Sequence, residues 1–447
     1  MTAQISNSGV RPYGTWASPL SAADLSRISL GFFDLECSQD NFYWREHRPK
    51  NNGQYALMRY SAAAGIQEIE PDKLDVKSRV HEYGGRSIHA VSDGAFVCHN
   101  ADQQIYFVDH DNVSHRTTNE YEMRYADFVF DQPRNRLISV REDHTPAGEV
   151  QNTITAIHPA QENSESRQVV LIEGADFYAY PTLSAYQKTI AWISWDHPNM
   201  SWDRSELWVG EFDHDGSVIN AHQINHDVSE SVMQPRWAAD GSLYFLSDRN
   251  GWWNLYVWNK GTVSIVHDAP ADYASPLWFL GENHYDILSD GRIILRFFDG
   301  RARRMAFLDP TTREFELIDL GDWEPGSFVV GGSDVFLVLR SKVRGDALAV
   351  LDTLSGSFHV LRHGPESELG RDQISIAEPI KFDTSDSEVA HAYYYAPTNS
   401  NHTAPEGEKP PLLVKMHGGP TYQTYPYLNL DIQYWTNRGF AVLDVNY

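Results

Sequence analysis

Between residues 31 and 365 the apolar positions come in short aromatic and β-branched bursts, with no long run at helical spacing. The bursts fall in pairs separated by turn residues. They are 41–48 with 55–61, 95–100 with 104–110, 136–143 with 153–159, and 189–195 with 206–212. Three more follow, 242–248 with 254–259, 291–298 with 303–309, and 334–341 with 347–353. Each of these roughly seven hairpins follows a looser stretch able to supply one or two inner strands. Pro181, Pro235 and Pro276 stand before three of them, at spacings of 235 − 181 = 54 and 276 − 235 = 41. These bracket the roughly 40–50 residues of a propeller blade, and the insert at 196–205 accounts for the longer one. The pattern predicts a mostly β chain with a β-propeller of about seven blades over 31–365. A pair of β-sandwiches fits a repeat of this length less well.

The texture changes at a polar seam, Glu366-Ser-Glu-Leu-Gly370-Arg-Asp, which reads as a linker. Beyond it, 377–382 and 389–395 form a hairpin of another kind. Leu412–Met416 then reads as a short buried strand running into His417-Gly418-Gly419-Pro420, where glycine and proline turn the backbone sharply. Tyr434-Trp-Thr-Asn-Arg-Gly439 has the look of a helix end capped by glycine, and 440–446 of a second buried strand. Together these predict a βαβ unit with the two strands parallel neighbours in one sheet. In that setting an H-G-G loop can aim backbone N–H groups at one point, as the oxyanion hole of an α/β-hydrolase does. The plainer reading is an ordinary βα turn. Residues 1–30 offer only a short helix, capped by Ser18 or Ser21, with Leu25, Ile28 and Leu30 on one side.

Composition narrows the function. There are 36 basic and 61 acidic residues, a formal charge of −25. This argues against nucleic acid or an anionic membrane as partner. Cys37 and Cys98 are the only cysteines, so no disulfide scaffold is expected and a reducing, cytoplasmic setting is. The N-terminus lacks the basic start and apolar core of a signal peptide, and no apolar run is long enough to span a bilayer. The sequons at Asn112, Asn199 and Asn401 therefore read as chance matches. No cofactor or metal is expected. His81-Glu82-Tyr83-Gly84-Gly85 lacks the second histidine of a zinc H-E-x-x-H, and His222 and His226 are spaced i, i+4 in a stretch that reads as loop. Trp252 and Trp253 read as blade packing.

Several separated motifs, in order, resemble the prolyl oligopeptidase family of serine peptidases, in its acylaminoacyl-peptidase and dipeptidyl-peptidase-like branch. They are Pro12-Tyr-Gly-Thr-Trp-Ala-Ser-Pro19, Arg79-Val-His-Glu-Tyr-Gly-Gly85, His197-Pro-Asn-Met-Ser-Trp-Asp203 with Glu206-Leu-Trp-Val209, the stretch 382–397, and His417-Gly-Gly-Pro420. The resemblance implies a propeller (31–365) capping an α/β-hydrolase domain (366–447 being its start), with 1–30 packing on the hydrolase part. It implies a Ser-Asp-His triad in the cavity between them and short peptides as substrates. Only one part of the oxyanion hole carries over, the backbone N–H of Gly418 or Gly419, with His417 ordering the loop. The G-x-S-x-G elbow that would hold the nucleophile is absent from these 447 residues; Gly85-Arg-Ser87 and Gly331-Gly-Ser333 lack the closing glycine. The chain alone is therefore expected to be inactive, and either a homo-oligomer or association with a separate C-terminal segment is possible. Glu82, Tyr83 and Arg86 have two readings: a tight blade connection needing Gly84 and Gly85, or a reader of a substrate terminus. A competing function is a non-catalytic propeller scaffold with a vestigial hydrolase segment.

Overall fold

The computed structural model describes residues 9–25, 31–38, 41–49, 52–69, 74–159, 166–364, 369–385 and 388–446. Seven four-stranded antiparallel sheets follow one another, each built from consecutive strands, at 31–69, 88–116, 123–172, 177–223, 232–267, 285–317 and 324–363. We number them blades 1 to 7. All seven predicted hairpins are the middle two strands of a blade. First strands touch from blade 1 through blade 5 and again between blades 7 and 1, while blade 6 meets blade 7 through its third strand, Arg303–Leu308, so the ring closes between blades 1 and 7. The fourth strands, such as Ser114–Arg116 and Phe315–Leu317, are largely exposed.

Closure uses side chains only, because blades 1 and 7 each complete their own four strands. Phe42 stacks on Phe336 with ring centroids 4.2 Å apart, among Phe32, Trp44, Val338 and Leu348. Glu46, fully buried, accepts from Arg362 of blade 7 at 2.9 Å.

The axis follows a repeated rule. The first strands of blades 1, 3, 4 and 5 each break register at one residue of positive φ: Asp34 (48°), Asp127 (57°), Tyr180 (54°) and Gln234 (48°). Such bulges turn a side chain out of the ladder. Here several of those side chains stitch blades together. Asp34 accepts from the Ser87 N–H at 2.9 Å, Asp127 from the Tyr180 N–H at 2.7 Å, and Gln234 from the His284 N–H at 2.7 Å. Pro181 and Pro235 follow the bulge residue in blades 4 and 5. Pro276 has no such place: it precedes the first strand of blade 6, Tyr285–Ile287, by a long irregular segment, so the 41-residue spacing does not measure a blade.

Two irregular segments, 74–87 before blade 2 and 268–284 before blade 6, meet across the axis. Gly85 and Leu280 form a parallel bridge, with the Arg86 N–H donating to the Leu280 carbonyl at 2.7 Å. Blades 2 and 6 stand nearly opposite in a seven-membered ring, so this contact spans the middle. It requires glycine. A Cβ on Gly85 would lie 2.7 Å from Leu280 Cβ, and one on Gly281 2.6 Å from Arg86 Cβ. The Arg86 guanidinium then bonds Glu36 of blade 1 at 3.1 Å and Asp127 of blade 3 at 2.7 Å. Buried pairs of this kind add little net stability, because desolvation offsets the attraction, but losing one partner strands a charge. They fix the register of the crossing.

The second unit is a mixed sheet in the order Glu378–Asp383, Val389–Tyr395, Ala441–Asn446, Leu412–Met416. The last two strands are parallel and joined through the helix Leu430–Thr436, which contains Tyr434 and Trp435. Asn429 caps that helix by accepting from Asp431 and Ile432, and Gly439 ends it at φ 91°. Ile432, Tyr395 and Val442 form its small core. One expectation is corrected: Leu412–Met416 is not buried. It is an edge strand with one neighbour, and Leu412, Val414 and Met416 are more than half exposed along one face. Residues 9–25 lie on this unit. Gly9–Val10 pairs with His402–Thr403, and Leu20 packs against Leu369, Ile374 and Leu430. Ile28 and Leu30 fall outside the described residues, as do 366–368 of the seam. Among the described residues no helix is long and apolar enough to cross a membrane.

Two stability predictions follow from the axis. Gly85→Ala forces a Cβ into Leu280 and should lower stability by roughly 1–3 kcal/mol. Gly148→Ala, with nothing within 4 Å, should be neutral. Urea melts showing equal effects would contradict the crossing. The second concerns His89, whose Nε2 accepts the Phe130 N–H at 3.2 Å and so stays unprotonated. Burial, with Arg86 and Arg236 nearby, drops this imidazole to about 3. The unfolded chain binds that proton more readily, so its contribution is complete above about pH 6.5 and declines as the pH falls toward the folded value. Burial raises the neighbouring Glu36, which acts in the opposite sense, so the comparison must be with wild type. His89→Gln, whose amide oxygen can keep the Phe130 bond, should flatten the loss of urea midpoint between about pH 6.5 and 4. An unchanged slope would show that His89 is not the group responsible.

Candidate functional site

The strand Leu412–Met416 delivers His417-Gly418-Gly419-Pro420 to the C-terminal end of the parallel pair, where open α/β sheets bind ligands. Gly419 has φ 76°, and Gly418 and Gly419 are both exposed. The Gly418 N–H has no acceptor among the described residues. Loop 417–429 is then held from two sides. Toward the sheet, Thr424 donates to Asp444 at 2.6 Å and its N–H to Asn446 at 2.7 Å.

Toward the propeller, Arg303 of blade 6 donates to the Tyr425 hydroxyl at 2.5 Å and lies over its ring at 4.2 Å. Tyr427 donates to Glu324 at 3.3 Å, and the Leu428 N–H to the Ser341 carbonyl at 2.8 Å. Burial opposes the charge on Arg303, but Tyr425, Tyr427 and Glu282 outweigh it and hold the group above its ordinary range. Nearer the glycines, Trp278 of the axial crossing donates its indole N–H to Thr421 at 2.9 Å.

A cavity of about 1300 Å³ opens between the units, lined by His417, Thr421, Tyr422 and Tyr425 of the loop, by His391 and Tyr393 of the sheet, and by Trp253, Arg296 and Arg303 of the propeller. A second of about 650 Å³ has Lys415, His417, Gly418 and Asp444 on its wall. The larger one is locally basic in a strongly acidic chain. Arg296, Arg301, Arg303, Lys342 and Lys381 face Asp272 and Glu388. Burial lowers Arg296 to about 10 and holds His284 well below its usual range.

The residues singled out in the sequence separate. His417, Gly418, Gly419 and Pro420 form the loop as described. Tyr83 is half exposed beside it, its ring 4.8 Å from Trp278. Glu82 sits on the same turn, mostly exposed, its carboxyl bound by Arg124 at 2.6 Å and held below the usual range by that bond. Arg86 is not with them. Its guanidinium is committed to Glu36, Asp127 and the Phe128 carbonyl inside the ring, which leaves it no route to a substrate terminus. Gly84 and Gly85 make the tight connection of the plainer reading, and both readings hold for different members of one motif. Among the discounted groups, His81 packs on Phe177 and Trp195. His222 lies on the outer strand Val218–Gln223 rather than in a loop. Trp253 lines the cavity as well as packing on the blades.

Sequence reading missed Trp278, Arg303, Tyr425 and Tyr427. Trp278 lies in a segment without periodicity, and Arg303 reads as an ordinary strand end, so neither carries a local signal.

No family model and no curated protein matches the chain. Solved structures do. A puromycin-hydrolyzing peptidase of Mycobacterium tuberculosis superposes with a TM-score of 0.91 at 30% identity, over 98% of this chain and 69% of that one. A puromycin hydrolase gives 0.91 at 28% identity with the same coverage. The acylaminoacyl peptidase of Pyrococcus horikoshii, at 14% identity and 0.63 over 94% of this chain and 65% of that one, shares the fold. Identity and coverage of this size go beyond fold likeness, and the chain belongs to the prolyl oligopeptidase family.

Proposed function

We propose that this chain is the propeller and the opening hydrolase strands of a serine peptidase that cleaves short peptides or aminoacyl amides through an acyl-enzyme. One observation carries the reading. The loop carrying Gly418 and Gly419 stands at the end of a parallel strand; its His417 and Thr421 line a cavity of about 1300 Å³, large enough for a short peptide and far too small for a folded protein, and Gly418 lines the smaller cavity on its other side. In acyl transfer the carbonyl oxygen gains negative charge as the serine oxygen attacks. Backbone N–H groups already aimed at that place stabilise the charge without reorganising, which is worth about 2.7–4 kcal/mol per donor. In this reading the chain supplies one part of that hole, the backbone N–H of Gly418 or Gly419. The nucleophile and its base come from a G-x-S-x-G elbow and later residues that these 447 residues do not contain.

Puromycin is a fitting first substrate, since two of the similar structures hydrolyse it, and it is an aminoacyl amide. Glu82 and Tyr83 stand at the rim, where Glu82 would meet the ammonium of a free N-terminus. A chain whose only cysteines are Cys37 and Cys98 is in keeping with a reducing, cytoplasmic setting.

The 447-residue chain alone should give background turnover of puromycin and of aminoacyl- and acylaminoacyl-nitroanilides. Addition of a separately expressed C-terminal segment, or expression as one chain with it, should give turnover blocked by a fluorophosphonate on one serine. Serine-dependent turnover by the isolated chain would contradict this division of labour, and no turnover with a complete domain would favour the scaffold. In the active protein, Glu82→Gln should raise KM for substrates with a free amine by about 5-fold, as expected of one exposed charge pair. An unchanged KM would remove Glu82 from the site.

A further inference from the structure

We infer that Trp278 is a positioning residue for the oxyanion loop, so that the segment crossing the propeller axis sets the geometry of the hydrolase site. The inference rests on the peptidase reading for its kinetic consequence, but not for its structural one.

The path is continuous. The Leu280 carbonyl receives the Arg86 N–H and its own N–H reaches the Gly84 carbonyl, which fixes the end of the crossing segment to the opposite side of the ring. Two residues earlier the Trp278 ring lies between Tyr83, at 4.8 Å and 76°, and Trp202, at 4.6 Å and 38°. Tyr83 belongs to the turn that makes the crossing, and the Leu277 carbonyl is bonded by Ser201 at 3.4 Å. The indole is therefore held before it touches the loop. Its N–H then donates to Thr421 Oγ1 at 2.9 Å, one residue beyond Pro420. A Cβ added at Gly419 would sit 3.9 Å from the ring carbon Cζ2, so the ring also backs the glycine itself.

The other propeller anchors, Arg303 on Tyr425 and Ser341 on Leu428, lie farther along the loop. Of these named propeller contacts, that of Trp278 falls nearest in the chain to Gly418 and Gly419. Displacing a reacting group's partners by an ångström can lower a rate by about 100-fold. A hydrogen bond two residues from the donors is thus enough to matter, provided the ring itself cannot move. The ring cannot move freely, because it is wedged between two aromatics and tied to the axis. The propeller then does more than restrict entry.

The experiment has two readouts on the same variants, Trp278→Phe, which keeps an aromatic ring but removes the N–H, and Thr421→Val, which removes the acceptor. The first is amide hydrogen exchange of residues 417–422 in the 447-residue chain, with Trp252→Phe, an exposed tryptophan that lines neither cavity, as control. Both variants should exchange faster there while the blades keep their protection, and the control should match wild type. The second is kinetics in a protein carrying this chain and a complete hydrolase domain. There kcat should fall about 10-fold with KM within a factor of two, and the double variant should be no worse than either single one, as expected of two partners in one bond. Unchanged exchange, or additive losses in the double variant, would overturn the inference. Faster exchange together with a wild-type protein that hydrolyses nothing would leave the anchoring in place and instead count against the peptidase reading.

Discussion

The structure hangs on a backbone contact in the middle of the ring. Propellers leave an axial channel, and here two segments from nearly opposite blades fill it by pairing Gly85 with Leu280. The approach is possible only where Cβ atoms are missing, at Gly85 and Gly281. Once the chains are this close, Arg86 reaches Glu36 and Asp127 on two further blades, and Tyr180 of blade 4 bonds the Glu282 carbonyl. A ring closed only by side chains between blades 1 and 7 thereby gains a second set of ties that does not depend on its seam.

The same crossing reaches the loop at the end of the parallel pair. It presents Tyr83 and Trp278 on the side facing the hydrolase strands, and Trp278 touches the loop that carries Gly418 and Gly419. Blades 6 and 7 hold the rest of that loop through Arg303, Glu324 and Ser341. The loop is thus shaped jointly by a sheet that aims it and a propeller that backs it. The open apolar face of Leu412, Val414 and Met416 lies on the same strand, which also has only one neighbour in the sheet.

Much of this was legible in the sequence. Short aromatic and β-branched bursts between turn residues located all seven middle hairpins, because those strands are buried on both faces and read as near-continuous apolar runs. The parallel pair and its helix were legible from Gly439 and the apolar runs on either side. Local pattern was silent where long-range geometry decides. Leu412–Met416 looks buried because it is apolar, but exposure depends on its neighbours in the sheet. Arg86 beside an exposed Glu82 looked like part of a site, yet Gly85 turns the two side chains to opposite ends of the crossing. Trp278 and Arg303 gained their roles from loops far off in sequence, which no spacing rule records.

The most direct test of the account is a crystal structure of the phosphonylated enzyme, made from a protein carrying this chain with a complete hydrolase domain. The phosphonyl group mimics the tetrahedral intermediate. The account predicts one of its oxygens within about 3 Å of the Gly418 or Gly419 backbone nitrogen, with the Trp278–Thr421 hydrogen bond intact. An adduct whose oxygen is held elsewhere, with the 417–421 loop turned away from it, would contradict the central claim.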